Sequence, residues 1–126
     1  MKIEHIAIWT NNLEELKEFY VKYFDGQAGE KYYNPKKEFE SYFIGFESGA
    51  RLEIMRKAGI KDKVQKEVLG YAHLAFSVGS KEKVDQLTNN LEEAGYEVVG
   101  GPRRTGDGYY ESSVLDPDDN KVEITE

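Results

Sequence analysis

The chain has 126 residues, 39% hydrophobic and 33% charged; that is the size of one compact domain, able to bury roughly 65% of its unfolded surface without covalent staples. Its net charge of −7, from 24 acidic against 17 basic residues, argues against a nucleic-acid or anionic-membrane surface, which needs clustered Lys and Arg. With no cysteine, disulfides, thiolate ligands and cysteine nucleophiles are excluded; no apolar run reaches the roughly 20 residues of a membrane span, and the start MKIEHIAI lacks a signal-peptide layout, so a cytoplasmic location is expected.

The first predicted strand is EHIAIW, residues 4–9. Ile6 and Ile8 alternate with His5, Ala7 and Trp9, which places His5 and Trp9 together on the face away from the oily residues. LEELKEFYVKYF (13–24) has helical spacing at Leu13, Leu16, Phe19, Tyr20, Tyr23 and Phe24. Asn12 is its expected N-cap, with Glu15 three residues on, and Gly26 its expected stop. A short strand is predicted near 27–33. SYFIGFESGARLEIM (41–55) then reads as a hairpin turning at Gly49. Within it Glu53 lies between Leu52 and Ile54 and shares the opposite face with Arg51 and Met55. The stretch 57–70 is charged and reads as a connection. The charge runs KKEFE (36–40) and KDKVQKE (61–67) read as solvated faces.

The second half repeats the first. HLAFS (73–77) aligns with HIAIW (5–9) at an offset of 68 residues. In GYAHLAFSV (70–78), Leu74, Phe76 and Val78 form the oily side, so a strand through this stretch sets His73 with Tyr71, Ala75 and Ser77. KEKVDQLTNNLEEA (81–94) is the second helix, with Val84, Leu87, Leu91 and Ala94 on one face, Ser80 capping it and Gly95 ending it. A strand is predicted near 96–100. GGPRRTGDGYYE (100–111) reads as a loop carrying Arg103 and Arg104, either a lid over an anionic substrate or an exposed turn before the next strand. ESSVLDPDDNKVEIT (111–125) aligns without a gap on the first hairpin at an offset of 70 residues, with Asn120 suited to positive φ. That offset sets Glu123 against Glu53.

The fold class is therefore α+β: two tandem βαβββ modules, about 1–57 and about 71–126, joined by a connection at about 58–70 within a single domain, 1–126. Each module carries one histidine on its first strand and one glutamate on its last, all four on the face opposite the helix. Two imidazoles and two carboxylates suit Ni²⁺, Co²⁺, Zn²⁺, Fe²⁺ or Mn²⁺, and four such donors on an octahedral ion leave two positions for substrate oxygens. The alternative is that duplication preserved four sheet-surface polar groups together with their packing, which requires an open, wet face. Arg51 either receives an anionic substrate group or partners a glutamate. Trp9 either walls the site or packs in the core or at an interface, and Tyr71 shares the His73 face.

His5 in EHIAIW, Glu53 in RLEIM, His73 in YAHLAFSV and Glu123 in DPDDNKVEIT resemble the ligand set of the vicinal oxygen chelate superfamily, which includes glyoxalase I, bleomycin-resistance proteins and extradiol dioxygenases. The resemblance spans essentially the whole chain. It implies a glyoxalase-like fold, with a curved, partly open mixed sheet around one divalent metal ion per site, Ni²⁺, Co²⁺ or Zn²⁺ foremost. It also implies that His5, Glu53, His73 and Glu123 are the ligands. An intact His, Glu, His, Glu set is most similar to bacterial glyoxalase I; the dioxygenases resemble three-ligand versions, and the epimerases carry glutamine at the place of Glu53. The implied activity is that of a lyase or isomerase acting on the hemithioacetal of a small 2-oxoaldehyde and a thiol cosubstrate, through an enediolate. Glu123 would move a proton between adjacent carbons, with Glu53 its symmetry-related partner. Another metalloenzyme of the superfamily (an epimerase or an Fe²⁺ dioxygenase) and a non-catalytic small-molecule-binding protein are the alternatives. A homodimer is expected by the same resemblance.

Overall fold

The computed structural model describes residues 1–61 and 69–126. The charge run predicted at 61–67 and the middle of the connection thus fall almost wholly outside the described residues. The chain divides into two compact units, Met1–Lys63 and Val64–Glu126.

In the first unit the elements are β1 (His5–Trp9), α1 (Leu13–Tyr23), β2 (Gln27–Ala28), β3 (Tyr32–Asn34), β4 (Phe39–Gly45) and β5 (Arg51–Lys57). They form a mixed sheet in the order β1-β5-β4-β2, with β3 also on β4 and the β1–β5 pair parallel. Helix α1 lies on β4 and β5. Leu13, Leu16, Phe19 and Tyr20 from the helix and Ile44, Leu52 and Ile54 from the strands are buried and make the core. Each such side chain contributes about 1.5–3 kcal/mol by leaving water.

Three local expectations change here. Asn12 makes no side-chain bond to the helix backbone; its amide instead donates to Glu15, and its own N–H is taken by the Thr10 hydroxyl at 2.9 Å. Gly26 is not the left-handed residue after the helix, since Asp25 takes that conformation at φ 53°. Glycine is needed at 26 because a Cβ there would stand 2.6 Å from Ile44 Cγ2 and 2.9 Å from the Tyr20 carbonyl oxygen. The single strand predicted near 27–33 is two short pieces, interrupted where the Gly29 N–H bonds the Phe43 carbonyl at 2.9 Å.

The second unit consists of β6 (Leu74–Ser77), α2 (Lys81–Glu93), β7 (Val98–Arg104), β8 (Tyr110–Leu115) and β9 (Lys121–Thr125), in the sheet order β6-β9-β8-β7 with β6 and β9 parallel. Ser80 caps α2 through Lys83 N–H at 3.3 Å, and Gly95 follows the helix at φ 92°, both as the sequence indicates. The buried helix face is Val84, Thr88 and Leu91; Leu87 is half-buried and Ala94 exposed. Thr88 displaces Leu87 because its hydroxyl is fully paired, to the Val84 carbonyl at 2.6 Å and the Ser112 hydroxyl at 2.6 Å. In the last hairpin Asp119, not Asn120, has the positive φ, of 66°. Asp116 organises that turn, accepting from the backbone N–H of both Asp118 and Asn120 at 2.9 Å.

GGPRR is strand, not loop. Residues 98–104 belong to β7, with register shifts between Val98 and Gly100 and between Gly100 and Arg103. Such irregularities absorb the glycines and proline that would end a regular strand. Gly101 is required there: at φ 71°, a Cβ would lie 2.5 Å from the Glu111 carbonyl oxygen.

Candidate metal centre

The parallel pairing of first and last strands sets the geometry in each unit. Ala7 is the partner of Glu53, and Ala75 is the partner of Glu123. In both units the histidine therefore sits two residues ahead of a small alanine, on the same face as the glutamate, and reaches it diagonally. His5 Nε2 lies 4.0 Å from Glu53 Oε2, and His73 Nε2 lies 3.1 Å from Glu123 Oε2. The two carboxylates are largely covered, at 16% and 15% side-chain exposure, while the imidazoles are open at 42% and 36%. His73 itself precedes β6 instead of lying inside it, so the strand expected through GYAHLAFSV begins one residue later, at Leu74.

The surroundings of the two pairs differ. In the first unit Glu4 accepts from His5 Nδ1 at 2.5 Å, and Arg51 binds Glu4 through Nε at 2.9 Å and through its terminal nitrogen. The His5 hydrogen bond, then Arg51, hold the Glu4 carboxyl below its ordinary pKa. Phe43, the cross-strand partner of Glu53, meets the His5 ring edge-on at 5.5 Å and carries the Arg51 guanidinium 4.2 Å above its ring. In the second unit the positions of Phe43 and Arg51 are taken by Ser113, across from Glu123, and Lys121, whose Nζ lies 3.2 Å from Glu123 Oε1. The two oxygens of Glu123 are thus divided between His73 and Lys121.

Glu4, Phe43 and Lys121 did not emerge from the sequence reading. The 70-residue offset that aligns the glutamates also sets Lys121 opposite Arg51, and that was the available signal for it. Alternation points Glu4 away from His5, and only the end of the strand at His5 lets them meet.

The remaining sequence candidates are dispersed. Arg51 pairs with Glu4. Trp9 is 45% exposed, edge-on to Phe39 at 6.2 Å, which excludes core packing. Tyr71 is fully exposed and precedes β6, so strand alternation does not extend to it. Arg103 and Arg104 are strand residues opposite Glu111 and Tyr110, where the sequence reads as a lid or an exposed turn. Arg104 donates to the Gly108 carbonyl at 2.6 Å and pairs with Glu126 at 3.3 Å.

The donor chemistry fits an ion. Nitrogen and oxygen ligands stand about 2.0–2.2 Å from a bound Zn²⁺, so two donors of one ion lie no more than about 4.4 Å apart. Both imidazole–carboxylate pairs satisfy that limit. Each is a pair only, and among the described residues no cluster of three or more His, Asp or Glu donors is present.

A sequence profile of the Glyoxalase/Bleomycin resistance protein/Dioxygenase superfamily matches residues 2–124, and the chain belongs to that superfamily. The superfamily is largely enzymatic, and its members typically bind a divalent metal ion. Among solved structures, a glyoxalase family protein from Enterococcus faecalis is similar at a TM-score of 0.80 and 28% identity, covering 99% of this chain and 97% of that one. Glyoxalase I from Zea mays is similar at 0.78 and 19% identity, over 98% of this chain and 44% of that one. The trypanothione-dependent glyoxalase I of Leishmania major is similar at 0.78 and 20% identity, over 99% and 86%. At those last two identities the likeness is one of fold. Uncharacterized protein YqjT of Bacillus subtilis is 44% identical over 59 residues, 44% of this chain and 46% of that protein. The match spans less than half of that relative's length.

Proposed function

We propose that the protein is a metal-dependent lyase or isomerase of the glyoxalase I type, with His5, Glu53, His73 and Glu123 as its ligands to a divalent ion. The observation that supports this most is the duplicated imidazole–carboxylate pair. It occurs in both units, where parallel first and last strands set an alanine beside the glutamate, and each pair lies within the span of one ion. Superfamily membership supports a metal-binding role for the pair. Bound at these donors, an ion supplies Lewis acidity toward two vicinal oxygens of a hemithioacetal.

The protein's own residues do the rest. Glu123 is the proton-moving base in this reading; its carboxylate is largely covered, with one oxygen beside His73 and the other beside Lys121. Glu53 stands in the equivalent position of the other half. Phe43 offers apolar surface beside the pair in the first unit. A homodimer belongs to the same proposal and is read by sedimentation. No helix among the described residues is long and apolar enough to cross a membrane.

The test is a titration of stripped protein with Ni²⁺, Co²⁺, Zn²⁺ and Fe²⁺, comparing wild type with Glu53→Gln and Glu123→Gln. The best-occupied form is then assayed on a small 2-oxoaldehyde with a panel of thiols. Tight uptake weakened by both substitutions, with isomerisation lost in Glu123→Gln, is the expected result. Uptake of Fe²⁺ with oxygen consumption and no isomerisation selects a dioxygenase instead. No uptake of any ion refutes the metal reading.

A further inference from the structure

The two halves hold their histidines differently, and the difference points to a residue that the duplicated pattern does not contain. We propose that Glu4 is a positioning residue for His5, taking the Nδ1 proton so that Nε2, the nitrogen on the Glu53 side, is left as the donor. The inference rests on the metal reading above and concerns only how one of its ligands is held.

The geometry carries it. Glu4 Oε2 is 2.5 Å from His5 Nδ1, whereas His5 Nε2 is 4.0 Å from Glu53, too far for a hydrogen bond. The ring nitrogen that a carboxylate acceptor fixes as N–H is therefore Nδ1, and Nε2 keeps its lone pair. Glu4 is itself fixed: Arg51 donates to its other oxygen, Oε1, from Nε at 2.9 Å and from a second nitrogen. Arg51 is held in turn over the Phe43 ring at 4.2 Å, and Phe43 meets the His5 ring edge-on. The chain Phe43–Arg51–Glu4–His5 closes on itself around the imidazole. In the second half Ala72 stands where Glu4 does, and Ser113 and Lys121 replace Phe43 and Arg51. The device belongs to the first half.

A carboxylate behind a ligating histidine fixes its tautomer and ring orientation and raises its basicity, and losing one typically lowers metal affinity about 10–100-fold. The experiment compares wild type, Glu4→Ala and Glu4→Gln by two readouts. Nitrogen-15 spectra of the metal-free protein, taken where the imidazoles are neutral, report the His5 tautomer. Competition titrations report Zn²⁺ and Ni²⁺ affinity. Wild type is expected to show His5 with Nδ1 protonated; Glu4→Ala loses that preference and about 10–100-fold in affinity. Glu4→Gln, which keeps an acceptor oxygen, falls between. Glu4 has 54% of its side chain exposed, so the variants fold, and thermal midpoints of the stripped proteins verify it.

An unchanged His5 tautomer in Glu4→Ala overturns the inference. So does ion affinity within about twofold of wild type, far below the 10–100-fold expected of such a partner, and that result leaves the metal reading standing. If wild type itself takes up no ion, the metal reading fails and the ligand-positioning role falls with it, whatever the tautomer.

Discussion

The contact that seats α2 on the sheet carrying Glu123 is a pair of hydroxyls, and it can be dissected. Thr88 and Ser112 are 2% and 1% exposed, and their oxygens are 2.6 Å apart. The single Thr88 hydrogen goes to the Val84 carbonyl at 2.6 Å, so Ser112 is the donor between them. Thr88→Val keeps the shape of the side chain but removes the acceptor, leaving a buried Ser112 hydroxyl unpaired at a cost of about 1–3 kcal/mol. Ser112→Ala leaves Thr88 still bonded to Val84 and costs about 0.5–1.5 kcal/mol. In the double variant neither group is stranded, so the loss falls short of the sum by about 0.5–3 kcal/mol. Urea unfolding followed by far-ultraviolet circular dichroism measures this as shifts in midpoint at constant slope. Fluorescence of the lone Trp9 is not enough, because that residue belongs to the first unit. Additivity to within about 0.5 kcal/mol, or a Thr88→Val variant as stable as wild type, refutes the reasoning.

Gly26→Ala separates two explanations of one glycine. If Gly26 only ends α1, alanine reduces the freedom of the unfolded chain and stabilises slightly. The added carbon meets buried Ile44 at 2.6 Å and the Tyr20 carbonyl at 2.9 Å, so a loss of about 1–3 kcal/mol is expected in thermal or urea melts, and a gain sinks the steric account. Acid exposes a second feature of the first unit. Hydrogen bonds from Lys17, then Lys31, with a smaller contribution from Tyr42, lower the Glu14 carboxyl from 4.5 to about 2. The folded value is depressed, so this contribution is complete above about pH 4.5 and is lost as pH falls toward 2. Glu14 is 54% exposed, which keeps the effect small and salt-sensitive. The stability gap between wild type and Glu14→Gln should close across that window and shrink in high salt; a gap independent of pH contradicts the assignment.

Periodicity carried much of this protein in plain view. Alternation in HIAIW, RLEIM, HLAFS and KVEIT sorted oily from polar faces correctly, since a strand's side chains have no third direction to take. Where local chemistry has two solutions, the sequence was silent. Gly-Gly-Pro reads as a loop until a neighbouring strand pairs with it across shifted register, and β8 does so. Leu87 looks more buried than Thr88 until Ser112 arrives from another element to satisfy the hydroxyl. Arg51 is near Glu53 by count, but its guanidinium donates from two nitrogens to a carboxylate oxygen of Glu4.

By itself, the sequence determined that this chain is one module written twice, with a histidine on each first strand and a glutamate on each last, because duplication and a period of two survive without knowledge of what packs where. Only tertiary structure decided the partners of those residues. The parallel register sets alanine beside each glutamate, and long side chains at strand ends turn to whichever opposite charge is within reach. Charge pairing is a property of distance, and distance across a sheet is not written along the chain.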